Sequence, residues 1–368
     1  MRLIHFSDTH LGFSDYYRSD PESGLNLRER DFYQAWDQVV QAILTLQPDL
    51  VLHAGDLFHT PRPNNRAIRI ALEGIQKISA AGIPLVLVSG NHETPRIRST
   101  GSIFESIALF PGVYPVFESR YECKRIGAVA VHCLPHCSLS EELEAALLNI
   151  QQPVTADYQV LLTHGAWSSG DFGMGEFNEQ RLPDLEAMTG RSFDYIALGH
   201  YHKQVTIREH ICYSGSTERT SLSQSENPCG FLEVDLASRE KRFHPLETRP
   251  IIRLPIIDCS DYSAQDIYRQ VETLSQTCPA GAIVQLTLAQ VSESVFLQLE
   301  VRKIEALFNQ TLHLEKKIRL STAKAGTEKM AERIESLPIE FGRYLEQADE
   351  PVWDKKRLLQ LGQHYLNL

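Results

Sequence analysis

The stretch Leu3-Ile4-His5-Phe6-Ser7-Asp8-Thr9-His10 closes a short apolar run with a carboxylate and an imidazole two residues apart. If the run is a strand, residues two apart share a face, and Asp8 and His10 converge on one ion. Four later apolar runs end in the same residue types: Val51-Leu52-His53-Ala54-Gly55-Asp56, Leu85 to Gly90-Asn91-His92, Val160 to Thr163-His164, and Ile196 to Gly199-His200-Tyr201-His202. Five strand ends capped by Asp, Asn or His describe one composite site. Taken singly, Asp8, His10 or Asn91 would more often be a turn residue or a satisfied polar group. Their order and their shared placement at strand ends argue for the site.

The segments between these ends set the fold. Phe32, Trp36, Val39, Val40 and Ile43 recur at helical spacing from about Arg28 to Leu46, where Pro48 intervenes. Ile68, Leu72, Ile75 and Ile78 mark a second helix over Asn65 to Ala81, ended by Gly82. Strand, helix, strand, helix, strand predicts a parallel α/β sheet with ligands at the carboxyl ends of its strands. After Phe110-Pro111 shorter strands are expected at Val113–Val116, Ala128–Cys133, Gln159–Thr163, Asp194–Leu198, Val205–Ile207, Ile211–Ser214 and Gly230–Val234, with a helix at Leu139–Asn149. They read as a second sheet packed on the first, an α/β/β/α sandwich spanning 1–252.

From 253 to 320 the pattern becomes βαβαβ: a strand at Leu254–Ile257, a helix at Ser263–Leu274, a strand at Ala282–Leu288, a helix at Val295–Phe308 and a strand at Leu312–Ile318. It reads as a smaller α/β capping domain. Residues 321–368 read as a linker and two C-terminal helices, Lys329–Gln347 and Asp354–Leu366. Leu358, Leu359, Leu361, Tyr365 and Leu366, with Trp353 ahead of them, form an apolar side that needs a cover.

Composition excludes several classes. The 368 residues carry a formal net charge of −11, which argues against coating nucleic acid by bulk attraction and leaves room for a local basic surface. Seven irregularly spaced cysteines suit reduced thiols, and no run approaches membrane-spanning length. A cytoplasmic protein is expected. The cluster Val131-His132-Cys133-Leu134-Pro135-His136-Cys137 does not read as zinc-binding, because strand alternation sends His132 and Cys133 to opposite faces. His5 and His53, within strands, read as core or supporting residues.

A carboxylate shared by two cations, with His, Asp and Asn completing the shells, holds two metals about 3.5–4 Å apart, activates hydroxide and clamps a phosphoryl centre. Phosphate-ester hydrolysis is the natural use. Asp-x-His, Gly-Asp, Gly-Asn-His-Glu, Thr-His-Gly and Gly-His-Tyr-His, in this order, resemble the calcineurin-like metallophosphoesterases. Asp8-Thr9-His10-Leu11-Gly12, Ala54-Gly55-Asp56-Leu57-Phe58-His59 and Tyr213-Ser214-Gly215-Ser216 are similar to the SbcD-type nuclease subunits of double-strand-break repair. Glu93 stands where that pattern usually has Asp.

The resemblance implies one metal on Asp8, His10, Asp56 and His202 and another on Asp56, Asn91, His164 and His200, with Asp56 bridging. It implies that His92 stabilises charge or acts as general acid, and that His59 acts near the scissile phosphate. It further implies manganese, 3′-to-5′ exonuclease and single-strand endonuclease action on DNA, an SbcC-like coiled-coil ATPase partner docked on the terminal helices, and a homodimer as one arrangement. Mixed His, Asp and Asn ligation permits manganese, iron or zinc and disfavours an all-oxygen magnesium site. Arg62 and Arg66 after the bridging carboxylate, and Arg96 and Arg98 after Asn91-His92, are candidates for flanking phosphates; Arg69 fits a solvated helix face equally well. A phosphoesterase of small molecules or phosphoproteins, and a non-catalytic DNA-end-binding scaffold, are the alternative functions.

Overall fold

Two six-stranded sheets, packed face to face, generate the layers of this protein. In a computed structural model, residues 1–95, 97–150, 154–175, 178–321, 341, 345 and 354–366 are described. The elements in order are β1 (Arg2–Phe6), α1 (Leu27–Leu46), β2 (Leu50–His53), α2 (Asn65–Ala80), β3 (Leu85–Val88), α3 (Phe104–Ile107), β4 (Val113–Val116), β5 (Glu122–Ile126), β6 (Val129–Leu134), α4 (Ser140–Ile150), β7 (Tyr158–His164), β8 (Ala166–Trp167), β9 (Arg181–Leu182), α5 (Leu185–Thr189), β10 (Tyr195–Gly199), β11 (Val205–Arg208), β12 (Ile211–Tyr213), β13 (Gly230–Asp235) and β14 (Lys241–Pro245).

The first sheet runs β14-β13-β1-β2-β3-β4 and the second β11-β12-β10-β7-β6-β5. Leu3, Leu50, Leu52, Val86 and Val88 from the first meet Val129, Val131, Val160, Leu162 and Ala197 from the second in one dry core. Their neighbours in sequence, Ile4, Val51, Leu85 and Leu87, point the other way onto Trp36, Val39, Ile43, Ala71, Ile75 and Ile78 of α1 and α2. Leu161, Ile196 and Leu198 likewise leave the second sheet toward Ala146, Ile150 and Leu185 of α4 and α5. Period-2 alternation on strands buried on both faces thus produces the four layers of an α/β/β/α sandwich.

The allocation of strands differs from the sequence reading. Val113–Val116 and Gly230–Val234 belong to the first sheet: β4 extends it parallel to β3, and β13 runs antiparallel beside β1, with His5 opposite Leu232. Apolar content is the same whichever sheet a strand joins, so local pattern does not select the partner. The hairpin strands β5 and β14, half-exposed and rich in charge, carry no apolar run to announce them.

Beyond Arg249 a small sheet forms from β15 (Ile251–Arg253), β16 (Ile257–Asp258), β17 (Ile283–Val291) and β18 (His313–Leu320), with α6 (Ala264–Ser275), α7 (Glu293–Phe296) and α8 (Val301–Leu307). The expected strand Leu254–Ile257 is in fact two short pairings flanking Pro255, which has no N–H for the ladder. The expected helix Val295–Phe308 is broken where the Glu300 N–H donates to the Tyr268 hydroxyl at 2.6 Å. Arg249 ties this unit to α1, pairing through two nitrogens with Asp31 at 2.6 Å each and donating to Gly281 O at 2.7 Å.

Of the expected terminal region, the linker and most of Lys329–Gln347 lie outside the described residues, as does Trp353. A helix spans Lys355–Leu366, with Leu361 exposed and Gly362 against the Phe341 ring. All seven cysteines are unpaired. Among the described residues no helix is long and apolar enough to cross a membrane.

Candidate metal centre

The site lies where β1, β2 and β3 of one sheet and β7 and β10 of the other end together. Asp8 and His10 do not converge by strand alternation, as the sequence suggested, because β1 stops at Phe6. Both instead take left-handed backbone, at φ 53° and 45°, and Asp56 (56°) and His200 (99°) do likewise. Such conformations cost non-glycine residues energy and persist where the surroundings enforce them. Here the enforcement is visible: Asp8 N donates to Gly55 O, His10 N to Asp56 O, Leu11 N to Leu57 O and His59 N to Leu11 O, zipping the two loops together.

Within this frame the side chains meet. Asp8, His10 and His202 form one group of candidate ligand atoms within 4.8 Å of one another, Asp8, Asp56 and His164 a second, and His10, His59 and His92 a third. The nitrogens that face inward can be deduced. His164 Nδ1 lies 2.8 Å from Ala54 O, which only accepts, so Nδ1 carries the proton and Nε2 turns to Asn91 Oδ1 (3.0 Å) and Asp56 Oδ2 (3.4 Å). His202 Nδ1 is flanked by the Gln224 amide and the Thr220 hydroxyl, leaving Nε2 3.0 Å from His10 Nε2. His10 Nδ1 faces His59 Nδ1 at 3.4 Å. His200 lies in none of the three groups; its Nε2 meets Glu179 Oε1 at 2.6 Å, and its backbone N–H donates to both Asp8 oxygens at 3.1 Å.

Two observations show that this arrangement suits cations. Asp56 Oδ2 is buried and without a hydrogen-bond partner, although three imidazole nitrogens, of His10, His92 and His164, stand 3.4–4.0 Å from it. His10 Nε2 and His202 Nε2 face each other with at most one proton to share, where two lone pairs would repel. Cations held by Asp8, His10 and His202 and by Asp8, Asp56 and His164 would satisfy the Asp56 oxygen and separate the two facing nitrogens.

The electrostatics agree. Burial would raise the Asp56 carboxyl, but His164, His92 and His10 outweigh it and hold it well below the carboxylate range. Burial would lower His164, but the Asp56 and Asp8 charges raise it to about 9. Burial pushes His10 well down and Asp8 up, the latter against His202 and His164. Positive charge at His164 is thus favoured beside Asp56, at the place where a cation would sit.

Around this set lie His92 and His59. His92 N–H donates to Asp56 Oδ1 at 3.0 Å, its Nδ1 lies 2.9 Å from His59 O, and the two rings stack at 5.0 Å between centroids. Both are partly open to solvent. Arg62 and Arg66 are exposed on the segment after Asp56; Arg69, also exposed, pairs with Glu73 at 2.6 Å as a helix-surface ion pair. Arg96 and the Arg98 side chain lie outside the described residues.

His5 and His53 support the site from behind, through the Tyr195 hydroxyl at 2.8 Å and Thr9 Oγ1 at 3.0 Å. His132 turns to Tyr121 and Gln159 while Cys133 enters the core between the sheets, as alternation requires. Four neighbours gave no sequence signal of their role. Glu93 Oε1 accepts from Gly90 N and Leu57 N, pinning the Asn91 loop to the Asp56 loop, and burial with the Asp56 charge raises its carboxyl to about 8. Gln224 braces His202, Gln180 donates to His164 O at 3.1 Å, and Glu179 holds His200. All but Glu93 lie in turn-rich connections where nothing in the local pattern marks them.

Comparison with known proteins fits this geometry. The calcineurin-like phosphoesterase family matches residues 1–204. The chain is 31% identical over 276 residues to the DNA double-strand break repair protein Mre11 of Haloferax volcanii, covering 73% of this chain and 58% of that one. It is 29% identical over 261 residues to Mre11 of Methanocaldococcus jannaschii (67% and 66%) and 31% identical over 279 residues to Mre11 of Thermoplasma acidophilum (68% and 67%). The chain therefore spans less than two thirds of the length of the first two relatives. With the family's match covering more than half of the sequence and every motif residue of the site inside it, the chain belongs to the calcineurin-like phosphoesterase family.

Proposed function

We propose that the chain is a two-metal nuclease that hydrolyses DNA phosphodiester bonds in double-strand-break repair. The observation that carries the reading is the buried, unpartnered Asp56 Oδ2 at the meeting point of the ligand groups, supported by relatives named as double-strand break repair proteins. One cation is assigned to Asp8, His10, Asp56 and His202, the other to Asp56, Asn91, His164 and His200. Two divalent ions, manganese in this reading, supply Lewis-acid charge at a phosphoryl oxygen and a nucleophile at neutral pH.

The chain's own residues do the rest. Asp56 keeps its charge at neutral pH and balances both cations. His92 is oriented by its backbone N–H to Asp56 Oδ1 and by Nδ1–H to His59 O, so that it stabilises charge at the phosphate, and gives a proton from Nε2 to the leaving oxygen, as the doubly protonated imidazolium. His59 steadies both His10 and His92 and reaches the neighbouring phosphate. Arg62, Arg66, Arg96 and Arg98 extend the track along flanking phosphates, which carries no base readout.

Residues 1–252 form the nuclease domain in this reading, 253–320 a capping domain, and 321–368 the docking region for an SbcC-like coiled-coil ATPase; unpaired cysteines favour the cytoplasm. Metal-depleted protein given manganese and offered linear duplex DNA, a single-stranded circle and a chromogenic phosphodiester tests the assignment. Shortened duplex and opened circles are expected. Turnover of the small ester alone would overturn the nuclease reading in favour of a small-molecule phosphoesterase.

A further inference from the structure

Each inward-facing imidazole of the centre has its outer nitrogen occupied by a protein group. For His164 that group is Ala54 O, for His202 the Gln224 amide and Thr220 hydroxyl, for His10 the His59 ring. For His200 it is a carboxylate, Glu179 Oε1, at 2.6 Å. This acceptor comes from 21 residues earlier in the chain, on the connection between β8 and β10, outside the motifs that carry the family resemblance.

The connection is built to hold that carboxylate still. Asn178 takes left-handed backbone at φ 61°, and its carbonyl accepts from the buried His136 Nε2 at 2.8 Å. On the other side Gln180 accepts from Cys137 N at 2.8 Å and donates to His164 O at 3.1 Å. Glu179 stands between these two anchors, and its Oε1 also accepts the Met174 N–H at 2.6 Å.

The chemistry follows from the acceptor. A carboxylate oxygen only accepts, so Nε2 keeps its proton and donates it as a hydrogen bond, which leaves the Nδ1 lone pair as the only one on a neutral His200 ring. That ring stands edge-on to His164, 5.3 Å between centroids, on the Asp56–Asn91–His164 side of the centre. An acceptor of this kind fixes the tautomer, orients the ring and raises the basicity of the ligating nitrogen. We propose that Glu179 is the positioning residue of His200, locking it as the Nε2–H tautomer so that Nδ1 is the nitrogen offered to the second cation. The inference rests on the two-metal reading above and concerns how that metal is held, not what is cut.

The test therefore uses zinc and no nucleic acid. Full-length protein labelled with 15N at histidine, metal-depleted, reports the His200 tautomer by long-range 1H–15N correlation, with His200→Gln for assignment. Competition with a chromophoric chelator then gives the affinities of the two zinc ions in wild type, Glu179→Ala and Glu179→Gln. The wild-type ring should show the Nε2–H pattern. Glu179→Ala should lose that single tautomer and weaken one zinc ion about 10–100-fold while sparing the other. Glu179→Gln, whose amide oxygen still accepts from Nε2, should recover the tautomer and most of the affinity.

An Nδ1–H ring in the wild type, or two zinc ions of unchanged affinity in Glu179→Ala, would overturn the proposal. So would a Gln variant as weak as Ala with its tautomer intact, since Glu179 would then be a ligand itself. If the wild type binds a single ion, the two-metal reading and this inference fall together. If it binds two, with the expected tautomer, yet cuts no DNA, only the nuclease reading fails.

Discussion

A Cβ placed on Gly90 would fall 2.1 Å from Asp56 Oδ1, closer than non-bonded atoms approach. The Gly90 backbone and the Asp56 carboxylate are therefore packed to the limit, and the glycine is required for lack of bulk, since its φ is not in the left-handed range. Gly90→Ala should displace Asp56 and weaken metal binding at least about tenfold, the scale on which misplaced ligands are felt. The fold should survive, because the strain is relieved by moving one side chain. Equilibrium dialysis with metal analysis, beside a far-ultraviolet dichroism spectrum, checks both statements.

His92 touches Asp56 through its backbone N–H and keeps its ring partly open to solvent. His92→Ala should retain both metals and lower hydrolysis about 10²–10⁴-fold, the range for a removed general acid. Loss of bound metal in that variant would place the ring among the ligands.

Arg62 and Arg66 are exposed on the segment that leaves the centre after Asp56. Changing both to Ala should weaken duplex DNA binding and reduce the log–log salt slope by about 0.9 for each phosphate no longer engaged. A small phosphodiester should be turned over as before; equal losses on both substrates would mean a damaged centre.

His5 is wholly buried against Tyr195, and desolvation lowers its pKa to about 3. In the unfolded chain the ring titrates near pH 6.5. Between these values the unfolded state binds more protons, so the contribution of neutral His5 is complete above pH 6.5 and is lost as pH falls through this window. His5→Asn, which still offers Tyr195 a polar partner, should flatten the pH dependence of unfolding by up to about 1.4 kcal/mol per pH unit below pH 6. Urea titrations of metal-depleted protein from pH 7 to 4 measure the difference, which isolates His5 from the other titrating histidines common to both chains.

The candidate ligand residues were legible because each sits at the end of an apolar run, and runs are what a sequence displays. Asp8, His10, Asp56, His164 and His202 are drawn together as their placement suggested, whereas the means, a left-handed double loop, was not readable from strand periodicity. Sheet membership was illegible for β13, since pairing with β1 spans more than two hundred residues and leaves no local trace. The break between α7 and α8 depends on a hydroxyl from another helix, Tyr268, and Glu179 depends on a loop folding back to His200. These contacts are long-range and leave no local trace, unlike the break at Pro255, whose cause is local.

The insertion of β13 beside β1 also orders events in time. A chain emerging from the ribosome exposes Asp8 and Asp56 early, yet β1 lacks one of its two neighbours until Gly230–Asp235 has been made. His200 and His202 arrive only shortly before that strand. Non-local pairings of this kind form late because the intervening chain must first be closed into a loop. The cluster that draws on both ends of this span is thus completed late in synthesis, and a half-made chain carries Asp8 and Asp56 without His200 and His202.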